Sequence, residues 1–548
     1  MKGMSDERSH DPLLEVKDLD VSLRRDPRTY LVRKVSFSVP LGSITAVVGQ
    51  SGSGKSLTVL ASLGLLSPEI FEVTGEIVFN GSAMRWNSVN APKDVLGGQI
   101  GLVFQDPGAH LNPLLTIGAH IEEALVRHSE VAPKKARDQT LALLGEMRFD
   151  DPVRIARAYP HELSGGQKQR AMIAMAIAGR PRLLIADEPT SALDVTIQRE
   201  ILALLSQLRE RHGLTILIVT HDLALASQFA DQIVVMHAGV VVESGRAGAL
   251  LENPQNPHTR SLVAARKRLN DLGALRRMGR ARSPGEHPRL TARGLAKTYR
   301  RRTLFRHDGG VEALRPMSLA LHRGETIAVV GESGSGKSTL AKLLMRLIEP
   351  TEGAITINGR DVTRLSPSQL RPTRRVIQMV FQDPHGALDP ERTIAETLME
   401  PMQVNGIGSS AADRRTRASA LLQMVGLEPS ALKRLPSAFS GGERQRISIA
   451  RCLAVDPEII VCDECVSALD ADSQVQILEL LATLQGKMCL SYVFISHDLE
   501  IVRHISDRLI VLRGGEVVEE GPTPAIFDAP SNPYTAALLG LFPMTDIV

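Results

Sequence analysis

The sequence predicts an α/β protein that contains two copies of one domain, each built on a buried parallel sheet. A glycine-rich loop, Gly-x-x-x-x-Gly-Lys-Ser, occupies residues 49–56 and again residues 331–338, each time after an apolar, β-branched run. Four further short motifs follow each loop in the same order. An ordered set of motifs that occurs twice indicates a tandem duplication.

The spacing of the motifs sets the length of the duplicated unit. Phe-Gln-Asp-Pro, Ser-Gly-Gly, Asp-Glu and His-Asp follow each loop. In both copies the Ser-Gly-Gly serine lies 23 residues before the aspartate of Asp-Glu, and the histidine lies 34 residues after that aspartate. The repeat therefore spans about 250 residues. We predict a first domain at residues 1–265, a linker at 266–288 and a second domain at 289–548.

Three apolar runs in each unit end at a residue of these motifs. Continuous apolar strands separated by helical stretches are typical of a parallel sheet with helices on its faces. Ligands of such sheets bind at the carboxyl ends of the strands, which is where the motifs begin. The runs are residues 44–48, 183–186 and 216–219 in the first unit, and 326–330, 459–462 and 492–495 in the second.

The composition excludes several classes of protein. Of the 548 residues, 43% are hydrophobic and 23% are charged, which argues against collagen-like, coiled-coil and wholly disordered chains. The net charge of +3 is too small to indicate nucleic-acid binding. The four cysteines suit a reducing compartment rather than a disulfide framework. We find no secretory signal and no apolar run long enough to predict a membrane span.

The linker concentrates positive charge. Residues 266–289 hold eight Lys or Arg against two Asp or Glu. We interpret this segment as a solvated, flexible tether, and contact with anionic lipid headgroups is the alternative.

The glycine-rich loops have the chemistry of a phosphate-binding site. Glycines lack a Cβ atom, so consecutive backbone N–H groups can wrap an anion, and the following helix points the positive end of its dipole at it. The lysine should contact the β- and γ-phosphates of a nucleotide, and the serine after it should supply a hydroxyl to Mg²⁺. The predicted nucleotide-binding residues are Gly49, Ser51, Gly52, Gly54, Lys55, Ser56 and Leu57, and Gly331, Ser333, Gly334, Gly336, Lys337, Ser338 and Thr339.

Acidic, amide and imidazole side chains are predicted to complete each site. The strand-end aspartate would reach Mg²⁺ through water, and the glutamate after it would act as general base or orient the attacking water. Two adjacent carboxylates are costly unless a cation or hydrogen bonds use them. A glutamine would contact the metal and the water, and a histidine the γ-phosphate. These residues are Asp187, Glu188, Gln105 and His221 in the first unit, and Asp463, Glu464, Gln382 and His497 in the second, with Ser56 and Ser338 as further metal ligands.

A second helix start that can bind an anion follows in each unit. Ser-Gly-Gly before a helical run places a capping serine and free N–H groups at a helix N-terminus. It lies too far along the chain to extend the phosphate loop, which favours a two-fold arrangement in which each unit closes the other's site. We call these segments the signature segments; they are Ser164, Gly165, Gly166 and Gln167, and Ser440, Gly441, Gly442 and Glu443.

Together these motifs resemble the nucleotide-binding domains of ABC transporters. The Walker A, Q-loop, signature, Walker B, D-loop and H-loop elements all occur twice. The resemblance implies two tandem P-loop NTPase domains, each with a RecA-like core and a helical subdomain, that bind ATP and Mg²⁺ and hydrolyse ATP. It also implies an intramolecular head-to-tail pair, with Lys55 beside the second signature segment and Lys337 beside the first. The D-loops are residues 191–194 and 467–470.

Further markers resemble the peptide/nickel importer group. They are Phe-Gln-Asp-Pro, the dipeptides at 112–113 and 389–390, and the segments Asn-Pro-His-Thr at 256–259 and Asn-Pro-Tyr-Thr at 532–535. This resemblance implies an ATPase subunit at the cytoplasmic face of the bacterial inner membrane. Its expected partners are two transmembrane permease subunits and a periplasmic or lipoprotein solute-binding protein, and no nucleic acid. Dipeptide, oligopeptide, nickel, opine and metallophore all stay open as solutes.

A soluble tandem ATPase that acts on the ribosome is the alternative function. Proteins of that kind carry a long, charged helical linker, whereas the linker at residues 266–288 is short and includes Gly and Ser-Pro-Gly. They also lack the Asn-Pro-Tyr-Thr type of tail. A DNA-repair ATPase would need zinc-binding cysteine pairs or long coiled-coil insertions, and the sequence has neither.

The two copies differ in the aromatic residue that would stack on adenine. The resemblance assigns this role to Tyr299 in the second unit, whereas the corresponding place in the first is near Leu23. We therefore expect the Lys55 site to bind ATP more weakly or to use Tyr30 instead. The hypothesis that follows is a mild asymmetry in which the Lys337 site hydrolyses ATP faster.

A Cys-x-x-Cys sequence flanks the catalytic carboxylates of the second unit. Cys465 stands where the family usually has proline, and Cys462 lies just before Asp463. We interpret the pair as structural, because the sequence offers no second pair to complete a tetrahedral metal site.

Overall fold

The computed structural model describes residues 12–50, 52–84, 95–129, 131–190, 195–264, 268–269, 287–299, 310–332, 334–382, 384–467 and 469–540. Ser51, Ser333, the D-loop residues 191–194 and most of the linker lie outside the described residues. The chain forms two compact units, Met1–Leu193 with Ile197–Ala264, and Asp194–Thr196 with Ala265–Val548.

The first unit alternates strands and helices after an initial pair of long strands. Strands β1 to β10 are Pro12–Leu23, Asp26–Pro40, Ile44–Gly49, Phe71–Phe79, Ser82–Ala83, Ile100–Val103, Leu183–Asp187, Thr215–Thr220, Gln232–His237 and Val240–Arg246. Helices α1 to α9 are Lys55–Ser62, Pro107–His110, Ile117–His128, Pro133–Glu146, Pro152–Arg157, Gly165–Ile177, Val195–His212, Leu223–Phe229 and Ala247–Glu252.

The second unit repeats the order of the strands. Strands β11 to β20 are Leu290–Tyr299, Val311–Leu321, Thr326–Val330, Glu352–Ile357, Arg360–Asp361, Ile377–Val380, Ile459–Asp463, Ser491–Ile495, Arg508–Arg513 and Glu516–Pro522. Helices α10 to α19 are Lys337–Leu344, Pro367–Val376, Pro384–Ala387, Ile394–Val404, Ala411–Met424, Gly441–Leu453, Ala471–Met488, Leu499–Ile505, Thr523–Asp528 and Pro533–Leu538.

A six-stranded sheet with a parallel centre forms the core of each unit. Its order is β10–β9–β3–β8–β7–β6 in the first unit and β16–β17–β18–β13–β19–β20 in the second. The edge strands β10 and β20 run antiparallel to their neighbours. Strand β3 pairs in parallel with β8 and β9, and β8 pairs with β7. The carboxyl ends of β3, β7 and β8 therefore meet at one edge, where the phosphate loop, Asp187 and His221 follow.

The central strand β3 is buried on both faces. Ala46 and Val48 pack in one cluster with residues of α8 and α9, whereas Val47 packs in another with β1, β2 and β4. Strand β13 divides in the same way between two clusters. Burial on both faces explains why these strands read as continuous apolar runs, as predicted.

A four-stranded antiparallel sheet covers one face of each core, and it was not predicted from the sequence. Its order is β2–β1–β4–β5 in the first unit and β12–β11–β14–β15 in the second. Register shifts interrupt the pairing of β1 with β2, for example between Val16 and Leu19. Such bulges break the alternation of apolar and polar residues by which a half-buried strand is recognised.

Helices α2 to α6 form a helical subdomain in the chain between β6, which precedes Gln105, and β7, which ends at Asp187. Ile117, Ile121 and Leu125 lie on one face of α3 at helical spacing, and all three are buried. They share one cluster with residues of α4 and α6. The predicted α/β class, with a parallel core and a helical subdomain in each unit, is confirmed. Within the described part of the chain, no helix has the length and apolar character needed to cross a bilayer.

Candidate functional site

The phosphate loops connect the central strand of each sheet to the helix that follows it. Gly54 and Gly336 cap α1 and α10 in the left-handed region, with φ of 93° and 105°. A Cβ atom on Gly49 would lie 2.2 Å from the carbonyl oxygen of Met236, and one on Gly331 would lie 2.1 Å from that of Leu512. Glycine is therefore required at both ends of each loop.

The loop lysines are buried and held by the loops themselves. Lys55 Nζ donates to the carbonyl oxygens of Gly49 and Gln50 at 2.8 and 2.9 Å. In the second unit, Lys337 Nζ donates to the equivalent carbonyls at 2.6 and 2.8 Å. Each ammonium group thus lies within its own glycine-rich loop, and its predicted contact with phosphates stays a prediction.

The strand-end aspartates lie beside the loop serines. Ser56 Oγ donates to Asp187 Oδ1 at 2.9 Å. Asp463 Oδ1 is buried and has no hydrogen-bond partner among the described residues. Burial raises the pKa of both Asp187 and Asp463, and the neighbouring glutamate raises each further, partly offset by the lysines and serines. A buried carboxylate with an unused oxygen is a suitable ligand for a divalent cation.

Each glutamate that was predicted to be catalytic lies between a glutamine and a histidine. Gln105 Nε2 donates to Glu188 Oε2 at 2.9 Å, and His221 Nδ1 lies 3.4 Å from Glu188 Oε1. In the second unit Gln382 Nε2 donates to Glu464 Oε2 at 2.9 Å. His497 Nδ1 lies 3.4 Å from the same oxygen. The structure therefore brings together the three predicted residue types in both units.

The contacts with histidine oppose the effect of burial on the first glutamate. Burial raises the pKa of Glu188, but the hydrogen bond and charge of His221, with Lys55 and Gln105, outweigh it and the net shift is downward. The Glu188 hydrogen bond raises the pKa of His221 against burial. The carboxylate is thus ionised at neutral pH, and the imidazole gains a proton more readily than an ordinary histidine.

The second unit shows the same directions. The hydrogen bond from His497 lowers the pKa of Glu464 against burial, and the charges of His497 and Lys337 lower it further. Burial lowers the pKa of His497, but the hydrogen bond and charge of Glu464 outweigh it, so the net shift is upward.

The backbone at both glutamates is strained, a feature that was not predicted from the sequence. Glu188 and Glu464 have φ of 44° and 46°, in the left-handed region that non-glycine residues rarely adopt. Their N–H groups donate to Val219 O at 2.9 Å and Ile495 O at 3.0 Å on the adjacent strands. These bonds hold the strained turn and direct each carboxylate toward its glutamine and histidine. No sequence signal marks this feature, because glutamate is not a residue associated with positive φ.

The signature segments are helix starts with reciprocal caps. Ser164 caps α6, where its hydroxyl accepts from Gln167 N and its N–H donates to Gln167 Oε1. Ser440 and Glu443 form the same capping box at α15. A Cβ atom on Gly166 would lie 2.7 Å from Ile197 Cγ2. The predicted helix starts are thus present, and Ser164 and Ser440 are exposed in them.

Strand register identifies the counterpart of Tyr299 in the first unit. Leu14 pairs with Phe79 as Leu290 pairs with Ile357, and the same offset places Leu23 at the position of Tyr299. Tyr30 lies opposite Ser22 on the adjacent strand β2, one step from Leu23. The side chains of Tyr30 and Tyr299 are 52% and 43% exposed, so both rings are accessible.

Three buried cysteines lie beside the second Asp-Glu pair. Cys452 Sγ donates to Met379 O at 3.2 Å, and burial raises its pKa to about 12. A hydrogen bond with Cys465 and burial raise the pKa of Cys462 as well. Neutral, buried thiols are poor nucleophiles and poor metal ligands, which supports the structural interpretation of the Cys-x-x-Cys sequence.

The family described as ABC transporter matches residues 32–191 and 314–467. The family described as Oligopeptide/dipeptide transporter, C-terminal region, matches residues 518–547. The chain belongs to the ABC transporter ATP-binding family. The peptidoglycan transport ATP-binding protein YejF of Agrobacterium fabrum is 42% identical over 97% of this chain and 97% of its own length.

A second relative is also an import ATP-binding protein. The glutathione import ATP-binding protein GsiA of Escherichia coli is 39% identical over 99% of this chain and 91% of its own length. A dimeric structure of the ATP-binding cassette MJ0796 bound to ADP and Pi is 33% identical, covers 43% of this chain and 98% of that chain, and has a TM-score of 0.39.

The family matches and the two relatives confirm the predicted family group, the tandem P-loop fold, the ATPase activity and the function as an ATP-binding subunit of an ABC importer. The ribosomal alternative is not supported, because YejF and GsiA are both transport proteins. The family implies that this ABC ATPase binds ATP and works with membrane permease partners.

Proposed function

We propose that the chain hydrolyses ATP at two sites, one on each phosphate loop, and that this drives uptake of a peptide-class solute. The carrying observation is the glutamate held between a glutamine amide and a histidine ring, which occurs at the same distances in both units. Each of these groups lies at the strand edge where the phosphate loop begins, and chemistry at that edge is expected of an α/β sheet.

The loops bind the phosphates of ATP. The glycine N-caps expose backbone N–H groups at the starts of α1 and α10, and both helix dipoles add positive potential there. Lys55 and Lys337, which now donate to loop carbonyls, would supply positive charge by exchanging those contacts for phosphate oxygens. Leu57 and Thr339, in the first turns of α1 and α10, are the further nucleotide-binding residues of this proposal among the described residues.

The residues beside the loops suit Mg²⁺. Asp463 has a buried carboxylate oxygen without a hydrogen-bond partner among the described residues, and Ser56 and Asp187 lie in direct contact. When bound, Mg²⁺ neutralises charge that develops on the β- and γ-phosphates. Gln105 and Gln382 provide amide oxygens while their Nε2 atoms bind the glutamates.

The glutamates orient and deprotonate the attacking water. The lowered pKa values of Glu188 and Glu464 keep both carboxylates ionised at neutral pH, so each can accept a hydrogen bond or a proton from water. His221 and His497, with raised pKa values, hold the carboxylates in place and can donate to a γ-phosphate oxygen.

Adenine stacks on Tyr299, at the end of β11, in the second unit. In the first unit Leu23 stands at that position and Tyr30 lies on the adjacent strand β2, so stacking there is weaker. Base stacking on an aromatic ring contributes about 1–3 kcal/mol in nucleic-acid complexes. The two sites therefore differ in how they hold the base.

We propose, on the family resemblance, that the signature segment of each unit contributes to the ATP site of the other. Ser164 and Ser440 are exposed at helix N-termini, where the helix dipole favours an anion, which supports a role in binding phosphate. Gly165, Gly166 and Gln167 would face the ATP on Lys337, and Gly441, Gly442 and Glu443 the ATP on Lys55. Cross-linking of Ser440→Cys to a cysteine in the first phosphate loop, dependent on ATP, would test it.

The partners are two transmembrane permeases and a periplasmic or lipoprotein solute-binding protein, with the chain held peripherally at the cytoplasmic face of the inner membrane. The names of the relatives, a glutathione importer and a peptidoglycan transporter, and the match to the oligopeptide/dipeptide C-terminal region favour a peptide-like solute.

The lysines test the proposed ATP sites. The full-length Lys55→Ala/Lys337→Ala double variant should lose ATP binding and turnover while its thermal unfolding stays like that of the parent. The matched control is Lys135→Ala, which removes an exposed lysine of α4. Unchanged turnover in the double variant would overturn the proposal.

A further inference from the structure

The Asn-Pro-aromatic-Thr segments near the end of each unit lie outside the catalytic groups of the two ATP sites. In the second unit, Asn532 caps the helix Pro533–Leu538, and its Oδ1 accepts from Tyr534 N at 2.8 Å. The ring of Tyr534 is 2% exposed, in the same cluster as residues of β17 and β18. A tyrosine buried this deeply needs a partner for its hydroxyl.

The segment is anchored to strand β20 by one carboxylate. Glu519 Oε1 accepts from both the N–H and the hydroxyl of Ser531 at 2.8 Å, and Glu519 Oε2 accepts from Asn532 N at 3.2 Å. The Arg513 guanidinium carbon lies 4.9 Å from the centroid of the Tyr534 ring. The segment that carries Tyr534 is therefore bonded to β20 through Glu519, and the Arg513 guanidinium lies over the face of the Tyr534 ring.

The hydroxyl of Tyr534 reaches the second phosphate loop. It accepts a hydrogen bond from Glu332 N at 3.4 Å. The carbonyl of the same peptide group belongs to Gly331, and it accepts from Lys337 Nζ at 2.6 Å. One peptide of the loop is thus bonded to the tail tyrosine through its N–H and to the loop lysine through its C=O.

The first unit differs at this contact. His258 stands at the position of Tyr534, and His237 at that of Arg513. The two imidazole rings lie 3.9 Å apart, centroid to centroid. A hydroxyl like that of Tyr534 is therefore absent from the sequence at position 258.

We propose that Tyr534 is a positioning residue for ATP binding at the second phosphate loop. Its hydroxyl fixes the position of the Gly331–Glu332 peptide. Because Lys337 Nζ donates to the carbonyl of that peptide, the hydroxyl also fixes the starting position of the lysine before it contacts the phosphates. The inference rests on the proposed binding of ATP by this loop. It also makes the C-terminal segment a second source of asymmetry between the two ATP sites.

The test uses the full-length chain carrying Lys55→Ala, so that ATP binding reports the second loop. Tyr534→Phe keeps the ring and its contact with Arg513 and removes only the hydroxyl. Loss of one hydrogen bond should raise the Kd of a fluorescent N-methylanthraniloyl-ATP by about two- to tenfold. The temperature of thermal unfolding should fall no more than it does in Ser531→Ala, which also loses a hydrogen bond of the segment.

Ser531→Ala is the matched control, since it removes one anchoring bond to Glu519 without touching the loop. It should leave the Kd unchanged. A Kd for Tyr534→Phe within twofold of the parent would overturn the inference. An equal rise in the Kd of Ser531→Ala would also overturn it, because the segment would then act only by supporting the fold. Binding that persists in the Lys55→Ala/Lys337→Ala double variant would instead overturn the proposed ATP sites themselves.

Discussion

The two catalytic glutamates should not be equivalent when each is replaced by glutamine in the full-length chain. Glutamine has the shape of glutamate, and its amide oxygen can still accept from Gln105 or Gln382, at the 2.9 Å contact seen now. It cannot take a proton from water. Because general-base catalysis contributes about 10²–10⁴-fold, each variant site should turn over at less than about 1% of its former rate.

The residual activity then reports the site that is left intact. Glu464→Gln leaves the first site, where Leu23 stands at the stacking position and contact with Tyr30 should be weaker, whereas Glu188→Gln leaves the second, which has Tyr299. The Tyr299 ring is 43% exposed and Lys297 Nζ lies 5.3 Å from its centroid, so we take the low end of the stacking range, about 1 kcal/mol. That free energy corresponds to about a fivefold difference in the rate below saturation.

The assay is phosphate release at ATP concentrations below KM, repeated at saturation. Glu188→Gln should retain about fivefold more activity than Glu464→Gln at low ATP, and the ratio should shrink at saturation because stacking acts on binding. Thermal unfolding of both variants controls for folding. Equal residual rates at low ATP would refute the asymmetry.

Two further predictions follow from the geometry of the loop and the charge pair. Gly49→Ala places a Cβ atom 2.2 Å from the Met236 carbonyl oxygen and should lower the free energy of unfolding by about 1–3 kcal/mol. Denaturant unfolding measures the change. The control is Gly145→Ala, at a helix position with open space, which should be neutral or stabilising. The Glu464–His497 pair should stabilise fully between the ordinary pKa values of 4.5 and 6.5. That stability should fall as pH drops through the lowered pKa of Glu464 or rises through the raised pKa of His497, so His497→Asn should flatten the pH dependence of thermal unfolding; an unchanged profile would contradict it.

Much of the core could be predicted from the sequence because burial on both faces leaves a continuous apolar run. Residues 44–48 and 326–330 read as central strands for that reason, and the structure places them there. The antiparallel sheet was missed because the bulges of β1 shift its period, and a pattern of period two is the main sequence signal of such a strand. Only tertiary pairing fixes its register.

The site residues were predictable because their types and order recur, not because the sequence encodes their contacts. That Glu188 bonds to both Gln105 and His221 depends on three strands that are distant in sequence. The role of Tyr534 was also hidden, since a hydroxyl that accepts from a loop N–H leaves no pattern along the chain. Both contacts required the fold before they could be recognised.

The strained glutamates connect the fold with the chemistry. A positive φ at Glu188 and at Glu464 costs about 1–2 kcal/mol each, and the cost occurs twice, at the same point of two separate units. Glycine would remove the strain but would also remove the carboxylate. The hydrogen bonds from these N–H groups to Val219 and Ile495 hold the turn against its own preference. The parallel sheet therefore does more than support the site: pairing of the adjacent strand fixes the direction in which the general base points.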